Sequence, residues 1–300
     1  MLQRALFLLF ITSSLFAKLV PFSITPPNYT ADKKIKILDA KCFVSKDIHE
    51  LSGLAYRDKS LYAISDQGIL YRFKAKISHK KIKKIHLEKE YLLRDKKGNL
   101  LKKSKRDSEG LCFYKKGVLI SFERKNRVEY FSLKGKKLKT MQLNKLLLNN
   151  KAYESPNKGL ESVAYSKLYG LVTTPELPLK GSDAHYHTLY AKKRIYKFQA
   201  EGAVTDIVFI NKNKLLVLLR QFSYFTRQRV TSLVEVDLSK CSDDNVCKSS
   251  LLLTMDSQKG WNIDNFEGLT KVGKKRFLMV SDDNDSFFQK TLFVLFEIMR

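Results

Sequence analysis

Three glutamates stand in closely similar settings along the chain: Glu109 in Ser-Glu-Gly-Leu, Glu161 in Leu-Glu-Ser-Val and Glu267 in Phe-Glu-Gly-Leu. Ser52 in Leu-Ser-Gly-Leu and Thr205 in Val-Thr-Asp-Ile hold the same place. After each comes a short apolar run that ends in charge: Asp66, Glu123 with Arg124, Glu176, Arg220, and Asp282 with Asp283. Carboxylates gathered at one place repel one another and must take up protons, pair with cations or bind metal. Their hard oxygens suit calcium or magnesium rather than zinc. Arg124 and Arg220 offer planar donor forks matched to a phosphate or carboxylate. Metal and arginine together would stabilise negative charge growing on a phosphoryl or acyl oxygen.

Elements must bring these scattered groups together. The copies recur every 45–60 residues or so, and each carries three or four short runs rich in Val, Ile, Leu, Phe and Tyr, broken by Gly, Asn, Asp and Lys. Such runs read as strands, and four strands at that period describe a blade of a β-propeller. Helical periodicity is weak throughout; "LNKLLLNN" at 143–150 is the best candidate and is short. The expected fold is all-β, a single propeller with five blades favoured and six left open. The fifth unit supplies only three strands, and the early run "KIKILDAKCFV" at 34–44 is expected to provide the missing outer strand and close the ring. In a propeller the first strand of each blade lines the channel and the second runs back beside it. Both acidic columns therefore reach one channel mouth. There Glu109, Glu161, Glu267 and Asp283 are expected to hold metal. Asp66 and Asp282 are candidate general bases, Arg124 and Arg220 would hold an anionic group, and Glu123 joins them as a catalytic candidate. The alternative at each position is structural: an acid that accepts backbone N–H groups and knits neighbouring blades.

Residues 1–17 have the form of a secretory signal, with Arg4, the apolar "ALFLLFI" and a cleavage point after Ala17. The apolar run is too short for a comfortable membrane span. Residues 18–300 are then expected to form one soluble domain, periplasmic or secreted. Of the four cysteines, Cys241 and Cys247 flank the polar "SDDNV" and are expected to form a disulfide, whereas Cys42 with Cys112 rests on parity alone. The net charge of +26 would attract anions such as phosphorylated substrates or anionic lipid, but the favoured reading is a lysine-rich solvated surface. No nucleic-acid motif is present, so that partner class is not expected. Neither a G-x-S-x-G elbow nor a P-loop occurs. "DAHYH" would put His185 and His187 on one face of a strand, but two histidines near a loop are commonly no site. "DDNDS" at 282–286 lacks the Gly and terminal Glu of an EF-hand yet offers oxygens suited to a cation.

The ordered set "LSGLAY…LYAISDQG", "DSEGL…LISFERKNRV", "GLESVAYS", "LLRQFS", "DNFEGLT" and "VSDDND…QKTLFVLFEI" resembles the phytase-like family of exported bacterial proteins with esterase-like activity, across roughly residues 45–298. The resemblance implies a propeller, export, and hydrolysis of phosphate or carboxylic esters with calcium as the expected ion. It carries over Asp66, Glu109, Glu123, Arg124, Glu161, Arg220, Glu267, Asp282 and Asp283. It adds Asp264, Asn265 and Asn284 as ligand-binding positions. The reading reached is a metal-assisted ester or phosphoester hydrolase acting on a small anionic or ester substrate. The alternative is a non-catalytic propeller that binds a ligand, an ion or an envelope protein at the same mouth.

Overall fold

The computed structural model describes residues 17–30 and 33–299. The expected signal segment therefore lies, but for Ala17, outside the described residues. Strands β1 (Lys18–Pro21) and β2 (Ile35–Val44) come first. Blade I holds β3 (Leu51–Arg57), β4 (Ser60–Ser65), β5 (Ile69–Ile77) and β6 (Ile82–Leu92). Blade II holds β7 (Ser108–Tyr114), β8 (Gly117–Phe122), β9 (Arg127–Ser132) and β10 (Lys137–Thr140). Blade III holds β11 (Ser162–Ser166), β12 (Gly170–Thr174), β13 (His187–Ala191) and β14 (Ile195–Phe198). Blade IV holds β15 (Ala203–Phe209), β16 (Lys214–Phe222), β17 (Arg229–Cys241) and β18 (Cys247–Asp256). Blade V holds β19 (Asn265–Lys271), β20 (Arg276–Asp282) and β21 (Leu292–Ile298).

The described strands form five antiparallel sheets, and the inner strands β3, β7, β11, β15 and β19 contact one another in turn around a ring that closes from β19 to β3. Five blades, not six, complete the circle. β2 pairs with β21, Cys42 opposite Leu292 and Ile35 opposite Ile298, so the early strand is the outer strand of blade V. Beyond it β1 adds an edge strand that the sequence did not announce, Lys18 opposite Val44. The 143–150 stretch forms short 3₁₀ turns, with the Asn144 side chain accepting from Leu146 N at 3.0 Å. Cys241 and Cys247 are joined across the β17–β18 hairpin. Cys42 and Cys112 are free thiols in different blades.

The core is not one mass but five wedges, one for each pair of adjacent blades. This explains why the strands read as continuous apolar runs rather than alternating ones. A strand lying between two blades buries both faces. In β21, Phe296 and Val294 enter the wedge toward blade IV, while Phe293 and Leu295 enter the wedge toward blade I. In β16, Leu216 and Leu218 face blade V, and Leu215, Val217 and Leu219 face blade III.

Near the axis the inner strands crowd. A Cβ added at Gly53 would lie 2.3 Å from the Glu109 carbonyl oxygen, and one at Gly110 would lie 2.7 Å from the Val163 nitrogen. The glycine after the acid is therefore a packing requirement between neighbouring blades. The acid itself sits at a break in the ladder. Register shifts fall between Leu51 and Gly53, Ser108 and Leu111, Val204 and Asp206, and Phe266 and Gly268. A bulge re-aims the side chain of its extra residue, here Ser52, Glu109, Thr205 and Glu267, relative to the regular pleat.

Candidate functional site

The two acidic columns meet at one end of the channel. Asp107, Glu109 and Glu123 bring one carboxylate oxygen each within 4.8 Å of one another, and so do Glu123, Glu161 and Glu176. Glu123 belongs to both groups and joins them. Glu109, Glu123, Glu161 and Glu176 are all buried. Buried carboxylates at this spacing form groups able to hold a metal ion, and one buried oxygen among them, Glu176 Oε2, lacks a hydrogen-bond partner. The donors are all oxygens, which fits a hard cation.

Burial pushes Glu109 well above the usual carboxylate range, and the nearby Glu267, Glu123 and Asp107 push it further. Burial likewise raises Glu161, helped by Glu109 and Glu176. Glu123 is pushed up to about 7, chiefly by burial, although the Gly159 N–H donating to its Oε1 at 3.0 Å works the other way. Glu123 and Glu161 also hydrogen-bond to each other, which needs a proton between two carboxyl groups. Asp66 is pushed up to about 8 by burial and by its neighbour Glu50, and Asp282 to about 9 by burial and Glu267.

Arg220 is the central counter-ion. Its Nη1 donates to Glu267 and, at 2.7 Å, to Asn265 Oδ1; its Nη2 reaches Glu176 Oε1 at 3.3 Å. Burial opposes its charge, but Glu267, Glu161 and Glu176 outweigh that and hold it protonated above its usual range. Lys158 Nζ supplies a second cation, 2.7 Å from Glu176 Oε1. Arg124 stands at the rim, half-exposed, with Nε 2.6 Å from Asp107 Oδ2. Its φ of 50° is left-handed for a side chain with a Cβ, in the tight turn after β8.

The expected metal set is thus split. Glu109 and Glu161 lie in the two carboxylate groups, but Glu267 lies outside them and is claimed by Arg220 and, at 2.7 Å, by Asn265 Nδ2. Asp283 also lies outside. Its Oδ1 accepts from Glu50 N at 3.0 Å, its Oδ2 from the Thr291 hydroxyl at 2.8 Å, and His49 Nδ1 lies 3.1 Å from Oδ2. Asp264 accepts from Lys290 N at 2.8 Å and fixes a loop, while Asn284 donates to Gln289 Oε1 at 2.6 Å on the exposed side. Asp282 accepts from Asn284 N at 2.8 Å, so the "DDNDS" oxygens cap their own turn rather than converge. His185 is exposed against Asp183, whereas His187 is buried and stacked on Phe198; among the described residues neither joins a metal-competent group.

Asp107, Asn126 and Lys158 escaped the sequence reading. Asp107 precedes β7, and its carbonyl accepts from Glu123 N at 3.0 Å, extending the β7–β8 ladder by one pair. An acid directly before Ser-Glu-Gly-Leu was the available signal. Asn126 Oδ1 accepts from Leu160 N at 2.9 Å and ties blade II to blade III beside the site. A cavity of about 720 Å³ lies elsewhere: it opens between blades II and III, lined by residues such as Tyr114, Tyr165, Lys167 and Lys192, with no carboxylate in its lining. The acidic mouth is identified by its chemistry, not by volume.

The family described as "Phytase-like: Esterase-like activity of phytase" matches residues 46–285. No curated protein matches the chain. Among solved structures, the chain is similar to the PQQ-bound aldose sugar dehydrogenase of Streptomyces coelicolor at 11% identity, with 91% of this chain and 100% of that chain covered and a TM-score of 0.43. It is also similar to the Dos1 propeller at 8% identity, with 86% and 73% covered and a TM-score of 0.37. Similarity at this level says nothing about chemistry.

Proposed function

The chain belongs to the phytase-like family, and from that premise we propose that it is an exported, cation-assisted hydrolase of phosphate or carboxylic esters, acting at the acidic channel mouth. The observation that carries the proposal is the pair of carboxylate groups joined through Glu123, with Arg124 at their rim. Asp107, Glu109, Glu123, Glu161 and Glu176 would hold the cation, and their oxygen chemistry favours calcium. When bound, a cation of this kind polarises an ester oxygen and eases deprotonation of water. The chain's own residues supply the rest. Arg124, half-exposed at the rim, captures the substrate's anionic group. Arg220 and Lys158 fix Glu176 and Glu267 and offset the charge of the ring. Asp66, buried beside Glu50 and holding its proton to about 8, would exchange a proton with the leaving oxygen. The form of residues 1–17 supports export to the periplasm or medium.

A second reading has its own observations. Glu123 at the mouth accepts from Gly159 N, and Asp206 on inner strand β15 accepts at Oδ2 from Leu269 N at 2.7 Å, so buried acids also knit blades together. The protein would then be an ion-stabilised binding propeller. Turnover separates the two. The test is hydrolysis of a phosphate-ester and acyl-ester panel with calcium and with chelator, alongside Arg124→Ala and Glu161→Gln. The hydrolase reading expects calcium-dependent turnover, lost in E161Q with the fold intact. In R124A it expects KM for anionic esters to rise by about tenfold or more, the worth of one charged hydrogen bond. Absence of turnover on every ester, with calcium still raising Tm, would leave the binding propeller.

A further inference from the structure

Two loops beside the mouth carry aromatic side chains with nothing packed over them. The β16–β17 connection presents Tyr224 at 79% and Phe225 at 102% exposure; the β20–β21 connection presents Phe287 at 97% and Phe288 at 86%. Both loops leave the face to which the acids point, one continuing from Arg220 and the other from Asp282. Their roots meet at Asp264, which lies 3.7 Å from Arg229 Nε and accepts from Lys290 N at 2.8 Å. Neither loop is slack. Ser223 N donates to Gln228 O at 3.0 Å and Ser286 N accompanies it with a bond to Asp283 O at 2.8 Å, while Phe222 packs edge-on against Tyr224 at 5.0 Å between ring centroids.

A fully exposed phenylalanine forgoes the gain of burial, and soluble chains seldom place several on neighbouring tips unless the patch meets a partner. The partner is constrained by charge. Arg227 lies within the first loop and Lys290 at the root of the second, and Lys259 lies on the connection between blades IV and V; all three are exposed. Asp285 is the exposed acid between them, and the chain as a whole carries +26. Aromatic tips interspersed with cations on a strongly basic body match the interface of an anionic bilayer, where rings enter the headgroup boundary and cations near the surface are drawn to the anionic headgroups. We propose that the tips Tyr224–Phe225 and Phe287–Phe288 dock this protein on an anionic lipid surface, with the channel mouth turned toward the headgroups. The docking surface stands whether or not the mouth hydrolyses an ester.

The test is co-sedimentation of the full chain with vesicles of phosphatidylcholine alone and of phosphatidylcholine with phosphatidylglycerol, alongside the triple variant F225S/F287S/F288S. Because the N-terminal apolar segment can bind lipid by itself, a local reporter is added: the indole introduced by F287W, read by emission and by quenching with brominated lipid. The expected result is binding to the anionic vesicles, at least tenfold weaker in the triple variant at unchanged Tm, with a blue-shifted and quenched reporter. Equal binding by parent and triple variant, or a reporter that stays unquenched, overturns the proposal. So does self-association that the triple variant abolishes while no vesicles are bound, since that assigns the tips to a second copy of the chain.

Discussion

At the scale of single residues, Glu109 and Arg220 show how one mouth can serve two ends. Glu109 is buried among Glu267, Glu123, Asp107 and Asp66 and keeps its proton well above the normal carboxylate range. Glu109→Gln is nearly isosteric and removes a charge that the site resists forming. Its Tm in chelator is expected to match or exceed that of the parent at pH 8, while the Tm gain from calcium is lost; thermal melts of both proteins in calcium and in EDTA check this. A fall in Tm in chelator would mean that Glu109 serves only to knit blades. Arg220 gives the opposite result. Replacing it with Met leaves Glu267 buried without its cation and Glu176 with Lys158 alone, a loss of about 3–5 kcal/mol for a broken buried pair. Denaturant unfolding is the measurement, and an unchanged midpoint would show that Lys158 and Asn265 suffice. The acids of the two repeating columns were legible because they recur at fixed places in each unit. The capture of Glu267 by Arg220, and of Asp283 by Glu50 and Thr291, was not, because it depends on distances between blades that no spacing along the chain encodes.

At the scale of elements, the Glu-Gly-Leu signature has two separate causes. The bulge turns the acid out of the pleat, and the glycine lets the next blade's backbone approach. Gly110→Ala would drive a Cβ to 2.7 Å from Val163 N and 2.8 Å from Glu161 O, both backbone atoms that have little room to shift. The expected loss is about 1–3 kcal/mol, read by urea unfolding, and it should come with weaker calcium stabilisation because Glu161 is the residue displaced. A neutral substitution would show that the inner strands are looser than their spacing indicates. The strands themselves were legible from β-branched and aromatic runs between turn residues, and the closing role of β2 from a blade one strand short. β1 was not. Four residues directly after a segment that reads as a signal carry too little pattern to distinguish an edge strand from a tail.

At the scale of the whole molecule, a five-bladed ring narrows its channel until carboxylates from different blades must share space, so folding is linked to the protonation of those carboxylates. Asp66, Glu123 and Asp282 are held at about 8, about 7 and about 9, each raised above an unfolded value near 4. Between those limits the folded chain binds more protons than the unfolded one, so stability falls as pH rises. The contribution is fully present below the unfolded carboxylate range and is lost as pH climbs through the folded values, over a window of roughly pH 4 to 9. A cation that takes ionised carboxylates competes with those protons, and its stabilisation must grow with pH over the same window. Tm in EDTA is therefore expected to decline from pH 5 to pH 9, with calcium flattening the decline and its benefit largest at the alkaline end. A calcium effect that is constant with pH would place the ion elsewhere on the molecule. If calcium has no effect at any pH, the ring is governed by protons and arginine alone, and Arg220 and Lys158 rather than a metal then hold the blades of this mouth together.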